Sequence, residues 1–240
     1  VPQFADFLTA YRDDPTAALL AFDFDGTLAP IVATPRQAQL DPSLTTPLQA
    51  LGEQSNVVVI SGRPTEFLRS RLAGIKATLI GNYGRPETID DQNLAVRDKL
   101  ARRAARELPT AVLVEVKPSS VALHYRRAPE LASAVTAWAR AVTEANITHE
   151  FGKSVVELVI GENASKDAVL RRLSGTYQAV LYAGDDQGDV APLQLLPTLT
   201  ALTCGLVILS DQTPPDLLDV ADEQITRQQF REYLRSLAGQ

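Results

Sequence analysis

The sequence has 240 residues, long enough to bury a sizeable core in one large domain or two modest ones, and its 45% hydrophobic and 22% charged residues are ordinary for a globular protein. A formal net charge of −6 argues against a nucleic-acid-coating surface. The single cysteine, Cys204, excludes an internal disulfide. No apolar run nears the roughly 18 residues of a membrane span, and "VPQFADFLTA" lacks a signal-peptide pattern, so a soluble, cytoplasmic monomer with no membrane or nucleic-acid partner is expected.

Taken in chain order, short apolar runs predict strands at 18–23, 56–61 and 77–81, with a helix at 64–73 that carries Pro64 near its first turn. A charged helix is expected at 89–107. "VLVEVKP" and "VALHYRR" then form a hairpin around Pro118-Ser119-Ser120. A helix at 129–145 precedes "THEFGKS" and "VVELVI", so helix-strand-strand is written twice at a period of roughly 40 residues. Beyond it come helices at 165–174, 188–196, 215–222 and 226–238, and strands at 179–184, 200–203 and 205–209. Strands alternating with helices predict an α/β fold with a doubly wound, Rossmann-like parallel sheet built from 1–84 and 162–240. The middle, 85–161, reads as an inserted α+β cap. Hinges are expected at 82–86 and 161–164, around Gly84 and Gly161, for closure on a substrate.

Successive strand residues face opposite sides of a sheet, so parity sorts the cap strands. Leu113, Glu115 and Lys117 share a side, as do Ala122, His124 and Arg126, and as do Lys153, Val155, Glu157 and Val159. One face can pack on the two helices while the other gathers Glu115, Lys117, His124, Arg126, Lys153 and Glu157. Convergent parity on four strands points to a polar binding surface.

The segment "LLAFDFDGTLAP" ends its strand with Asp23 and Asp25 on one side of the backbone. Like charges about 4 Å apart repel by roughly 4 kcal/mol at an effective dielectric near 20, so a cation or a shared proton must offset them. "AGDDQGD" at 183–189 places Asp185 at another strand end, and open parallel sheets bind ligands there. Three carboxylates with no histidine cluster suit a hard cation, Mg²⁺, with water and phosphate completing its shell. Ser61 ends the strand of "VVVISGRP", where a hydroxyl and helix-start N–H groups can hold a phosphate, and Lys166 of "GENASKDAVL" could steady a phosphoryl group. Taken singly, Ser61 reads as a helix N-cap and Lys166 as a surface lysine.

With Asp-x-Asp-x-Thr, Ser, Lys and Gly-Asp-Asp in this order, the chain resembles the haloacid dehalogenase-like phosphatases. The resemblance implies that Asp23 attacks phosphorus to form an aspartyl-phosphate while Asp25 protonates the leaving oxygen and then activates water. It also implies Mg²⁺ held by the Asp23 carboxylate, the Asp25 carbonyl and Asp185, with Asp186 and Asp189 supporting these ligands. "FDFDGTLAPI", "VISGRP", "VEVKPSSVALHYR", "FGKSVVELV" and "YAGDDQGD" resemble the trehalose-6-phosphate phosphatases in order and spacing. Glu115, Lys117, Arg126, Lys153 and Glu157 match cap positions that hold sugar hydroxyls in that family. Arg63, Asn82 and His124 join them as substrate-binding candidates.

The chain departs from the family pattern at Gly188, Asp189 and Val190 in the acidic loop, at Tyr83 of "GNYG" where histidine is usual, and at Asp167 after the lysine. Two alternatives stay open. One is another sugar phosphatase of the superfamily, acting on sucrose 6-phosphate or a glycosylated phosphoglycerate. The other is a catalytically silent sugar-phosphate-binding domain.

Overall fold

The computed structural model describes residues 3–32, 35–85, 90–144, 146–152, 154–161, 165–211 and 213–240. Its elements are, in order, α1 (Gln3–Asp13), β1 (Ala18–Phe22), α2 (Thr45–Gln54), β2 (Asn56–Ile60), α3 (Thr65–Arg71), β3 (Thr78–Ile80), α4 (Asp91–Glu107), β4 (Leu113–Val116), β5 (Ser120–His124), α5 (Ala132–Arg140), β6 (Ile147–Gly152), β7 (Val155–Ile160), α6 (Lys166–Ser174), β8 (Ala179–Gly184), α7 (Val190–Leu195), β9 (Leu202–Ile208), α8 (Pro215–Leu218), β10 (Glu223–Ile225) and α9 (Arg227–Leu237). They divide into two compact units, Val1–Gly84 with Ala164–Gln240, and Arg85–Asn163. The expected hinge segments reach into 86–89 and 162–164, which lie outside the described residues.

The first unit holds a six-stranded sheet in the order β10-β9-β8-β1-β2-β3, every pair parallel. Every residue of β1 and β8 is buried, because helices cover both faces and a central parallel strand therefore reads as a continuous apolar run. Parity divides the two layers. Leu20, Phe22, Leu181 and Ala183 face a core with Phe7, Tyr11, Leu48, Leu51, Phe230 and Leu234 from α1, α2 and α9. Leu19, Ala21, Val180 and Tyr182 face the other core, with Val169, Leu170, Leu193 and Leu217 from α6, α7 and α8. Strand order reverses between β1 and β8, so the carboxyl ends of these two strands flank the switch point where such sheets bind ligands.

Several boundaries differ from expectation. The strands at 200–203 and 205–209 are one strand, β9, running through Gly205. A Cβ there would lie 2.7 Å from Leu193 Cδ2, so the glycine marks a close approach of α7 and not a break. The helix expected at 215–222 stops at Leu218, and that at 129–145 is a 3-10 turn followed by α5, which ends at Arg140. Helices α1 and α2 and strand β10 lie where no element was expected.

The second unit is an antiparallel sheet in the order β4-β5-β7-β6, packed on α4 and α5. The repeated helix-strand-strand pattern is present as α4-β4-β5 and α5-β6-β7. Val112, Val121, Leu123, Val156, Leu158 and Ile160 form the core with Leu100, Ala104, Val135 and Ala139 of the helices.

Candidate active site

The turn after β1 is built around Gly26. Its φ of +83° is left-handed, and a Cβ would lie 1.9 Å from Asp185 Oδ2, so only glycine allows the loop to lie against that carboxylate. The Asp23 N–H continues the ladder to Ala183 at 2.9 Å, which fixes Asp23 at the carboxyl end of β1 beside β8. Asp23 is 4% exposed and Lys166 5%. Ser165 caps α6 and Lys166 occupies its first position, so the lysine side chain turns inward and donates to Asp23 Oδ1 at 2.7 Å and to Asp189 Oδ1 at 2.7 Å. The surface-lysine reading of Lys166 is therefore corrected: a buried ammonium demands carboxylate partners, and it has two.

Asp189 also accepts the Tyr182 hydroxyl at 2.6 Å and the backbone N–H groups of Asp185 and Asp186 at 2.9 and 3.1 Å. Burial works against its charge, but Lys166 and these donors outweigh burial and hold its carboxyl below the ordinary range. Burial pushes Asp23 well above that range, Lys166 pulls it back, and the charges of Asp189 and Asp185 add to the rise. Burial opposes the Lys166 charge too, yet Asp23, Tyr182 and the neighbouring aspartates raise its pKa well above the usual value. Asp185 is pushed up to about 7, first by burial and then by Asp189 and Asp186, against Lys166 and Thr27. Burial likewise raises Asp186, whose side chain accepts from the Gly188 N–H at 2.8 Å.

Asp25, half-buried, is held by Arg63 through two 2.7 Å hydrogen bonds, one to each carboxylate oxygen. Arg63, expected to face substrate, is thus engaged with Asp25, and its guanidinium also lies 4.8 Å from the centre of the Phe67 ring. Ser61 is buried and does not cap a helix. Its hydroxyl accepts from the Arg63 N–H at 3.2 Å, while α3 starts at Thr65 after Pro64. Asn82 and Tyr83 are both left-handed, with φ of +52° and +57°, and are tied to the neighbouring loop by N–H bonds of 2.9 Å to Arg63 and Ser61 carbonyls. Asp23, Asp25, Ser61, Gly62, Arg63, Tyr83, Lys166 and Asp186 line a crevice of about 230 Å³. That is room for several water-sized groups of roughly 30 Å³ each.

The donor set fits a hard dication. Oxygens of Asp23, Asp185 and Asp189 all lie within 4.8 Å of one another. Asp189 is saturated by its donors, whereas the Asp185 carboxylate has one hydrogen bond among the described residues, from the Thr27 hydroxyl at 3.3 Å. A buried carboxylate so poorly satisfied is what a divalent cation would stabilise.

In the second unit, register puts Glu115 opposite Ala122, Ala122 opposite Glu157, and Glu157 opposite Glu150, on the face away from the helices. Glu157 accepts from Lys117 at 2.8 Å and from the Ser120 hydroxyl at 2.5 Å, and Arg85 bridges Glu157 and Glu150. Burial alone would raise Glu157, but these hydrogen bonds and the Lys117 and Arg85 charges leave it below the ordinary range. His124 Nε2 lies 2.8 Å from Glu115 Oε2. Arg126 departs from the expected alternation: it sits in the turn after β5, exposed, on a groove of about 1080 Å³ with Leu113, Glu115, His124 and Arg127. Lys153 lies outside the described residues. Sequence reasoning did not single out Thr27, Tyr182, Arg85, Glu150 or Arg227 for the site. Thr27 was legible within "DFDGTL", and the others meet their partners only through the folded chain.

Among the described residues no helix is long and apolar enough to cross a membrane. An uncharacterized glycosyl hydrolase of Mycobacterium tuberculosis is 36% identical over 151 residues, 57% of this chain and 11% of that protein. The trehalose-phosphate phosphatase of the same organism is 32% identical over 191 residues, 70% of this chain and 48% of that protein. The chain thus spans about half the length, or less, of these curated relatives. The structure of Aspergillus fumigatus trehalose-6-phosphate phosphatase shares the fold, at a TM-score of 0.75 and 19% identity, over 99% of this chain and 98% of that one. The trehalose-phosphatase family model matches residues 21–192, a span that takes in Asp23, Lys166, Asp185 and Asp189, and by that match the chain belongs to the trehalose-phosphatase family.

Proposed function

We propose that the chain is a Mg²⁺-dependent phosphatase that hydrolyses trehalose 6-phosphate to trehalose and phosphate. The observation that carries this reading is the buried Lys166–Asp23 pair beside Asp185, opening on the crevice that Ser61 lines. Asp23 attacks phosphorus with a carboxylate oxygen as the bond to the sugar oxygen breaks, and Asp25 supplies that oxygen's proton. Both Asp25 oxygens are engaged by Arg63, so its turn as acid begins with that pair opening. Water then attacks the phosphorus of the aspartyl-phosphate, Asp25 takes the water's proton, and Asp23 is released. Lys166 and Ser61 hold the phosphoryl oxygens throughout, while Asp189, itself bonded by the Tyr182 hydroxyl, holds Lys166. The Asp23 and Asp185 carboxylates with the Asp25 carbonyl would hold Mg²⁺, which supplies positive charge to the phosphoryl oxygens and orients them.

A non-reducing disaccharide offers hydroxyl groups alone, and the pairings of Glu115 with His124 and of Glu157 with Lys117 and Arg85 present acceptors and donors suited to them. Phosphate release from trehalose 6-phosphate, sucrose 6-phosphate and a glucosylated phosphoglycerate, with Mg²⁺ or with chelator, tests the reading. Trehalose 6-phosphate should be turned over best and only with Mg²⁺. Preference for another ester would give the substrate to a different sugar phosphatase, and no release from any would favour a silent domain. Glu157→Gln should raise KM for trehalose 6-phosphate by about tenfold, the loss of one charged hydrogen bond, and leave turnover of p-nitrophenyl phosphate unchanged. An equal fall for both esters would overturn the assignment of that face to the sugar.

A further inference from the structure

The loop that carries Asp25 and Thr27 is fastened from elsewhere in the chain. Phe24, Gly26, Thr27, Leu28 and Ala29 are all buried, so their carbonyls need partners. The Phe24 carbonyl accepts the Ala29 N–H at 2.8 Å, and the Leu28 carbonyl accepts the Asp41 N–H at 2.9 Å. The Ala29 carbonyl accepts the Gly26 N–H at 2.8 Å, and one side chain reaches it together with the two that remain, those of Gly26 and Thr27. Arg227 Nη1 donates to the Thr27 carbonyl at 3.0 Å, and Nη2 donates to those of Gly26 and, at 3.3 Å, Ala29.

Local rules do not favour an arginine at this point. Arg227 is the first residue of α9, where the helix dipole disfavours a cation, and it is part-buried. The start of α9 is fixed by a reciprocal cap in which the Gln229 N–H donates to the Thr226 hydroxyl and the Thr226 N–H to the Gln229 side chain. One turn on, Arg231 donates to Asp41 Oδ2 at 2.7 and 3.1 Å, and Arg227 Nη1 lies 3.9 Å from the same oxygen. Asp41 is itself held by the Ser43 N–H and hydroxyl at 3.0 and 2.7 Å. An out-of-place cation that supplies the donors for the Gly26 and Thr27 carbonyls, adds a second to Ala29 and is steadied by a buried aspartate is a device for the loop and not for its own helix.

We propose that Arg227 is a positioning residue for phosphoryl transfer: through the carbonyls of Gly26, Thr27 and Ala29 it sets where Asp25 and the Thr27 hydroxyl stand relative to Asp23 and Asp185. This rests on the phosphatase reading above, and it extends to the cation because Gly26 and Thr27 are the loop's contacts with Asp185. Arg227 touches no reacting atom. Its loss therefore displaces the loop without removing a reacting group, and misplacement by an ångström costs on the order of 10²-fold in rate.

The full chain carrying Arg227→Gln, Arg227→Lys or Arg231→Gln tests it by two readouts, steady-state kinetics and the Mg²⁺ midpoint of the thermal-unfolding shift without substrate. Arg227→Gln should lower kcat on the order of 10²-fold with little change in KM and move the Mg²⁺ midpoint several-fold higher. Arg227→Lys, reaching fewer carbonyls, should fall between that variant and the parent. Arg231→Gln, which makes no bond to the loop, should lower the melting temperature and leave kcat in place. An Arg227→Gln protein with parental kcat and Mg²⁺ midpoint overturns the inference, as does an Arg231→Gln protein that loses kcat equally. Should the parent release no phosphate from any ester, the phosphatase reading fails on its own, and the Mg²⁺ midpoints still decide whether Arg227 sets the loop.

Discussion

Asp23→Asn should abolish phosphate release, with kcat falling on the order of 10⁴- to 10⁶-fold, the range seen when a covalent catalyst loses its nucleophile. An amide has the shape of the carboxylate and keeps an oxygen for the 2.7 Å bond from Lys166, so the crevice should survive. Burial pushes the Asp23 carboxyl up, which makes its charge a cost to the fold, so the variant's melting temperature should not drop without metal. The loss of activity is then chemical. Asp25→Asn provides the contrast. Losing a general acid and base costs about 10²- to 10⁴-fold, and an activated ester such as p-nitrophenyl phosphate needs little help in the first step. That protein should accumulate a hydroxylamine-sensitive phosphoryl group on Asp23, visible as a mass increase in intact protein. If Asp23→Asn keeps more than a small fraction of parental turnover, or the label falls on another residue, Asp23 is not the nucleophile.

The parts of the fold legible in the sequence are those where a single physical pattern acts alone. β1 and β8 are buried on both faces, so their apolar runs and terminal acids stand out. The second unit's strands alternate because one face packs on helices, and register puts Glu115, Glu157 and Glu150 in one row. Elements that depend on their neighbours were not legible. β10 is three residues long and exists by pairing with β9. Gly205 looks like a strand break until Leu193 is seen lying against it. The site divides in the same way. Asp23, Asp25 and Asp185 sit at strand ends, a position that local sequence reveals. The burial of Lys166 against Asp23 and the bidentate grip of Arg63 on Asp25 join residues far apart in the chain, and the Tyr182 bond to Asp189, seven positions on, depends on how the loop after β8 folds back, so no local pattern encodes them. Arg227 is the extreme case, 200 residues from the Thr27 carbonyl it holds.

Asp185→Asn should separate stability from function. With its carboxyl pushed to about 7 by burial and by Asp189 and Asp186, Asp185 binds a proton more tightly folded than unfolded, where a free aspartate titrates near ~3.9. The sign follows: below pH ~4 the group is protonated in both states and costs nothing, and the cost grows as pH rises through the window from ~4 to about 7 and is constant above it. Its full size is on the order of 4 kcal/mol, so in chelator at pH 8 the asparagine variant should be the more stable protein, and near pH 4 the two should converge. Mg²⁺ should close more than half of that gap at pH 8. A cation at one hundred times its dissociation constant stabilises the parent by ~2.7 kcal/mol, and a variant without the ligand gains little. Urea unfolding of both proteins at pH 5 and pH 8, each with chelator and with Mg²⁺, reads all four corners. Parallel pH dependence in chelator would show that Asp185 carries no such cost, and equal stabilisation by Mg²⁺ would take the cation away from Asp185. The expected compensation has a simple origin: Gly26 and Thr27 press a carboxylate into a place where it is poorly solvated and poorly bonded, and that arrangement destabilises the apoprotein for the same reason that it would favour a dication.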